Sequence, residues 1–224
     1  MRTVLGKHVY EALPEVLLPD HTAIIVVDMQ NDLVSIDRPA AKRGAPPPAS
    51  RQAIGPLQLL LESGRQAKVP IVYIVYTMDT SYASTSPAWI DYSGRISPRT
   101  GRTKSGNLEV GLEGTWGQQV IPELAPQAGD FIVRKHRLGG FWGTELDQVL
   151  RSNNIETTLI TGTATAGCVL DTAIGASAYD YYTVIASDCV AGSMDLQQSG
   201  MTLLEDRYDC ILSEEIIKLW AGTL

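Results

Sequence analysis

Three polar residues in this 224-residue sequence stand where short apolar runs stop: Asp28 after IIVV, Lys135 after DFIVR, and Cys168 beyond LITGTATAG. A carboxylate, an ammonium and a thiol gathered at one point suit acyl transfer. The thiol attacks a carbonyl once a base has taken its proton, and a fixed positive charge favours both anions. Taken singly, two of them have ordinary explanations. A strand-end Asp caps the following turn, and a strand-end Lys runs its stem along the surface into solvent. Cys168 differs, because it follows the small-residue turn TATAG and opens CVLDTAIGASAYD, a segment of helical spacing. A cysteine there meets unpaired backbone N–H groups and the positive end of the helix dipole, which favour thiolate. Cys189 and Cys210 lack that setting and read as small buried hydrophobes.

Histidine, the usual partner of a reactive cysteine, occurs only as His8, His21 and His136. Alternation along DFIVRK places Lys135 with Val133 and Phe131 and turns Arg134 and His136 to the opposite face. A cysteine–histidine pair is poorly supplied, so Asp28 becomes the expected acceptor of the thiol proton.

Residues so far apart in the chain meet only if the apolar runs are neighbouring strands. TAIIVVD (22–28), PIVYIVYT (70–77), DFIVRK (130–135), TTLITG (157–162), YTVIAS (182–187) and the weaker YDCILS (208–213) are continuously rather than alternately apolar, as strands covered on both faces require. Helical spacing fills the intervals in AIGPLQLLLESGRQAK, TELDQVLRSNN, CVLDTAIGASAYD and DLQQSGMTLLED. This alternation predicts an α/β fold: a doubly wound, three-layer α/β/α sandwich around a mainly parallel six-stranded, Rossmann-like sheet, with ligands at the carboxyl ends of the strands. One domain, 1–224, is expected. The stretch from about 79 to 106 is rich in Ser, Thr, Gly and Pro and reads as a long loop, either a lid or subunit contact or a solvated insertion; RGAPPPAS at 43–50 reads as a stiff connector.

Composition narrows the partners. With 44% hydrophobic and 19% charged residues the chain has the balance of a globular protein, and its net charge of -7 with no basic block disfavours nucleic acid and anionic membrane. Three scattered cysteines, without a C-x-x-C pair, suggest neither a disulfide framework nor a zinc site. The N-terminal stretch, which contains acidic residues and a proline, does not resemble a signal peptide, and no run approaches membrane-spanning length. The expectation is a cytoplasmic protein that acts on a small molecule without metal or other cofactor.

The segments TAIIVVDMQNDLV, VRKHRLGGFWGTELDQVLRSNNIETTLITG and TATAGCVLDTAIGASAYDYYTVIASDCVAG resemble the three signature blocks of the isochorismatase-like cysteine hydrolases and cover most of 22–192. The resemblance implies Cys168 as nucleophile, Asp28 as general base and later acid, and Lys135 as their electrostatic partner. It also implies a cis peptide between Thr163 and Ala164 that aligns the Ala164 amide with that of Cys168 as an oxyanion hole. The closest motifs are those of N-carbamoylsarcosine and ureidoacrylate amidohydrolases, which implies cleavage of a C–N bond in a small linear amide, ureido or carbamoyl compound through a thioester. Vinyl-ether hydrolysis of the isochorismatase type, ester hydrolysis and non-catalytic binding are the alternatives.

Two departures narrow the resemblance. The Asp-x-His-x-x-His metal motif of nicotinamidases is missing, because Asp79 is followed by Thr80 and Ser81 and the loop holds no His. The arginine that carbamoylsarcosine-type relatives place after the nucleophile is also missing, with no Lys or Arg from 169 to 206; an anionic substrate would need Arg137, Arg95, Arg99 or Arg102. Asn31, Trp89, Trp116, Phe141 and Trp142 are the expected substrate-binding wall. Relatives imply a homodimer or homotetramer, for which the apolar IIKLWAGTL at the C-terminus offers a surface.

Overall fold

The computed structural model describes residues 1–45, 47–94 and 110–223. An antiparallel hairpin comes first, β1 (Arg2–Val4) and β2 (Lys7–Val9), turned by Leu5 and Gly6 at φ 51° and 77°. These strands are exposed and too short to leave an apolar run, so the sequence reading passed over them. A single turn of helix, α1 (Leu13–Val16), leads to β3 (Thr22–Val27), every residue of which is buried.

β4 (Ile71–Tyr76), β5 (Phe131–Lys135), β6 (Thr157–Gly162), β7 (Tyr182–Val190) and β8 (Asp209–Ile211) follow. Among the described residues these join β3 in one wholly parallel sheet of six strands, in the order β5-β4-β3-β6-β7-β8. The chain starts at β3, winds outward to β5, then returns to β6 on the other side of β3. That reversal is the doubly wound topology expected from the alternating runs, and it opens a crevice between the carboxyl ends of β3 and β6.

The connections are α2 (Asn31–Val34), α3 (Ile54–Gln66), α4 (Pro87–Gly94), α5 (Leu146–Ser152), α6 (Leu170–Ala178), α7 (Met194–Glu205) and α8 (Ser213–Trp220). Period-two alternation splits each strand between two cores. Ile24, Val26, Tyr73, Leu159 and Val184 pack against Leu57 and Leu60 of α3 and Ile216 of α8. Ile25, Val27, Ile74, Ile160 and Ile185 pack on the other face against Leu146 of α5, Ala173 of α6 and Leu204 of α7. Burying a side chain of this kind contributes about 1.5–3 kcal/mol, and this two-sided burial is what holds the strand ends rigid.

Two expectations need correction. The segment 79–106 is not a plain loop: Pro87–Gly94 forms α4, where Trp89 stacks on Tyr92 at 5.1 Å; its remaining residues from 95 lie outside the described residues. The tail IIKLWAGTL is not a free apolar surface either. Ile216 is buried, Ile217, Leu219 and Trp220 pack on the α3 side of the core, and the Trp220 indole donates to Leu17 O at 2.8 Å. Burial inside the chain uses the apolar stripe that had suggested a subunit contact.

Candidate active site

Asp28 follows the last residue of β3 in the left-handed region, at φ 52°, and this bend turns its carboxylate across the sheet edge. Oδ1 accepts the Tyr76 N–H at 3.1 Å at the end of β4, and Oδ2 lies 2.8 Å from Lys135 Nζ at the end of β5. Both charges are almost completely buried, at 1% and 0% exposure. Lys135 Nζ also donates to Leu138 O at 2.5 Å, so the ammonium is bound on two sides. Burial pulls the lysine toward neutrality, but Asp28 and Cys168 outweigh it and raise its pKa, and it stays an ammonium. Gln30 squares the corner. Its amide accepts the Tyr76 N–H at 2.8 Å and donates to Tyr76 O at 2.9 Å and Gln118 O at 2.8 Å.

Cys168 reaches the same point from β6. Gly162 ends that strand at φ 104°, where a Cβ would lie 2.1 Å from Val27 O, so only glycine allows β3 and β6 to stay paired there. Thr163 N–H still donates to Val27 O at 2.9 Å; the Thr163–Ala164 peptide is cis, and the turn Thr165–Val169, kinked at Gly167, then presents Cys168 before α6 begins. The cis peptide stands where the resemblance implied it. Thr172 fastens the turn: its hydroxyl donates to Cys168 O at 2.6 Å and accepts the Gly140 N–H at 3.0 Å. Gly200 of α7 fits against Ala166, and a Cβ there would meet Ala166 N at 2.8 Å.

Asp28 and Lys135 both act electrostatically on the thiol, and Asp28 and Cys168 line one cavity. Its resting state differs from the thiolate anticipated at a helix start. Burial, then the Asp28 charge, push the Cys168 pKa up to about 12 against the pull of Lys135. Sulfur therefore holds its proton at neutral pH, beside a carboxylate that can receive it as a bond to carbon forms.

A cavity of about 630 Å³ opens over the thiol. Its walls include Asp28, Tyr76, Trp89, Leu138, Ala164, Cys168, Asp171 and Gln197. A second lobe shares Asp28, Ala164 and Cys168 and extends toward Arg38 and Ser50. Of the expected wall, Trp89 is in place, its indole N–H donating to the Tyr76 hydroxyl at 3.1 Å. Asn31 is not; its amide is buried and donates to Trp116 O at 2.8 Å, tying α2 to the following segment. Trp116 is half-exposed away from the cavity walls. Phe141 belongs to the core, packed on Gly175 and stacked 5.2 Å from Tyr179, while Trp142 lies over Gly139 with nearly half its surface in solvent. Spacing predicted proximity to the sheet edge for these aromatics, but packing against glycines fixed their directions. Arg137 braces the rim, its guanidinium 4.8 Å from the Trp89 ring and bonded to His136 O and Ser84 O. Arg95, Arg99 and Arg102 lie outside the described residues.

Sequence reasoning missed Tyr76, Gln30, Leu138, Thr172 and Asp171. The last two had a signal, since positions three and four beyond Cys168 share its helix face. Asp79 caps a turn: its carboxylate accepts the Ser81 and Ser84 hydroxyls and then the Ser84 N–H at 3.0 Å and the Ala83 N–H at 2.9 Å, which together hold its pKa well below the usual carboxylate range. Among the described residues no cluster of three or more His, Cys, Asp or Glu is placed to hold a metal ion.

The ureidoacrylate amidohydrolase of Pseudomonas syringae pv. syringae is 30% identical over 201 residues, spanning 87% of this chain and 81% of that protein. That of Agrobacterium fabrum is 31% identical over 188 residues, 78% of each. Among solved structures, a cysteine hydrolase from Pseudomonas syringae pv. phaseolicola superposes with a TM-score of 0.75 at 25% identity, covering 92% of this chain and 95% of that one. The N-carbamoylsarcosine amidase of Thermoplasma acidophilum gives 0.65 at 30% identity, covering 87% and 97%. The isochorismatase domain model matches residues 22–213. With its α/β fold, its strand-end residues and this match, the chain belongs to the isochorismatase family of hydrolases.

Proposed function

We propose that this chain is a cysteine amidohydrolase that cleaves the C–N bond of a small linear amide, ureido or carbamoyl compound, with Cys168 as nucleophile, Asp28 as proton carrier and Lys135 as fixed charge. The observation that carries this reading is a thiol on the same cavity wall as Asp28, the carboxylate of a buried carboxylate–ammonium pair. Amidohydrolases among the relatives support the bond class.

In the proposed cycle Cys168 Sγ adds to the substrate carbonyl while its proton passes to Asp28. The backbone amides of Ala164 and Cys168, both at the cavity wall, hold the oxyanion. Collapse expels ammonia or an amine, which takes the proton from Asp28 and leaves a thioester. Water then gives a proton to Asp28 and adds to the thioester carbonyl; collapse returns that proton to sulfur and frees the acid. Lys135 stays charged throughout and serves as a fixed counter-charge beside Asp28 and the sulfur. We further place the enzyme in the cytoplasm, as one domain assembled into a homodimer or homotetramer, with neither metal nor other cofactor in the reaction.

The deciding experiment is ammonia release by wild type and Cys168→Ala across ureido, carbamoyl and simple amide compounds. Release by wild type alone, with a loss of at least about 10³-fold in the variant, is expected. A variant that keeps releasing ammonia would remove the thiol from the mechanism, and silence from both proteins would favour vinyl-ether, ester or non-catalytic readings.

A further inference from the structure

Asp171 lies one helical turn beyond Cys168 on α6 and lines the same cavity. None of the ion pairs between described residues includes it. The charged groups facing it are limited: Lys135 acts on it through space and is already held by Asp28 and Leu138 O. Burial raises its pKa. Around it this lobe is aromatic and apolar, with Tyr76, Trp89, Tyr92, Leu138 and Leu196, and the described wall carries no arginine or lysine. Arg38 belongs to the other lobe, across Cys168.

We infer that Asp171 is a specificity-determining residue, selecting substrates whose group beyond the scissile bond is a cation or a neutral hydrogen-bond donor and rejecting a carboxylate at that place. The inference rests on the cysteine amidohydrolase reading for the meaning of scissile bond, but its physical content is the sign of the field over Cys168. A carboxylate and aromatic rings lining one cavity both attract a cation, the first through its charge and the second through their faces. It repels a second carboxylate, for which the described residues of this wall offer no arginine or lysine, Arg137 at the rim being bonded to His136 O and Ser84 O. The substrate class therefore differs from ureidoacrylate, whose free carboxylate would face Asp171.

Two readouts test this and fail independently. Thiol modification needs no turnover. Cys168 is treated with two methanethiosulfonates of equal length, one ending in trimethylammonium and one in sulfonate, and rates are normalised to a neutral free thiol, with Cys168→Ala subtracting Cys189 and Cys210. The cationic reagent should lead by about tenfold in wild type, in Asp171→Glu the lead should persist, and in Asp171→Asn it should collapse toward the free-thiol ratio. A wild-type ratio no greater than that of the free thiol overturns the inference, as does an unchanged ratio in a folded Asp171→Asn. The second readout is kcat/KM for amides of one skeleton ending in ammonium, hydroxyl or carboxylate, expected to fall in that order in wild type and to lose the order in Asp171→Asn; the reverse order in wild type overturns it. Correct thiol ranking with no amide turned over would leave the charge selection standing and sink the amidohydrolase reading instead.

Discussion

Lys135 reaches Asp28 across an intervening strand: β5 and β3 are separated by β4, yet Nζ and Oδ2 meet at 2.8 Å above the end of Tyr76. A buried pair of this kind is weak evidence of net stability, but removing one member leaves the other charged and unpaired. Lys135→Met is therefore expected to lower unfolding free energy by about 3–5 kcal/mol, read from urea denaturation. Asp28→Asn combined with Lys135→Met should recover part of that loss while restoring no activity. A double variant that costs the sum of the two single losses would mean the pair is not coupled.

The thiol pKa gives a test with an uncommon sign. Burial and then Asp28 raise it to about 12, while Lys135 opposes them. Asp28→Asn should thus abolish turnover and at the same time make Cys168 more acidic, bringing the thiolate absorbance at 240 nm to lower pH. Lys135→Met should move it the other way. A catalytic base that merely positioned the thiol would leave the titration where it was.

The same shift links to stability. A thiol pKa of 9.0 in the open chain and about 12 in the fold means that the folded state binds the proton more tightly. Its contribution is complete below pH about 9 and is lost as pH climbs toward 12. Cys168→Ser should flatten that part of the stability profile relative to wild type, while the slope owed to the other raised thiols remains.

Thr172 ties the nucleophile turn to the loop after β5, so Thr172→Val leaves the Gly140 N–H and Cys168 O each short of a bond. A cost of about 1–3 kcal/mol is expected, with kcat falling more than KM rises. Thr172→Ser should restore both. If valine is tolerated without change in kcat, the hydroxyl does not hold the turn.

Gly200→Ala is predicted to lower activity while leaving the fold largely in place. The added methyl meets backbone and Cβ of Ala166 at 2.8–2.9 Å, and the turn carrying Cys168 is what would have to move. Thermal unfolding compared with thiol modification separates the two effects: a small drop in Tm with a large change in Cys168 reactivity is the expected pair.

Much of this was legible in the residues. Continuous Val and Ile runs are enough to specify buried parallel strands, and their ends mark where Asp28, Lys135 and Cys168 must fall. What failed was direction rather than position. Phe141 and Trp142 lie near the sheet edge as expected, but Gly175 and Gly139 leave hollows that they fill, and sequence spacing carries no record of such hollows. Asn31 fails for a related reason: its partner is a backbone carbonyl 85 residues away. Helix α4 leaves little pattern because it is only 8 residues long and follows the serine-rich stretch 81–86. The resting thiol was misjudged as thiolate because the helix start was weighed without the burial and the carboxylate that oppose it.

The reversal of winding between β3 and β6 places base and lysine in one half of the chain and the thiol in the other. The halves are joined after α5 by an exposed turn at Asn153 and Asn154, the latter at φ 55°. Cut there, the chain becomes a natural pair for fragment complementation. Neither piece holds a full set of reacting groups, and turnover would return only as β3 and β6 zip together, making catalysis itself the reporter of reassociation.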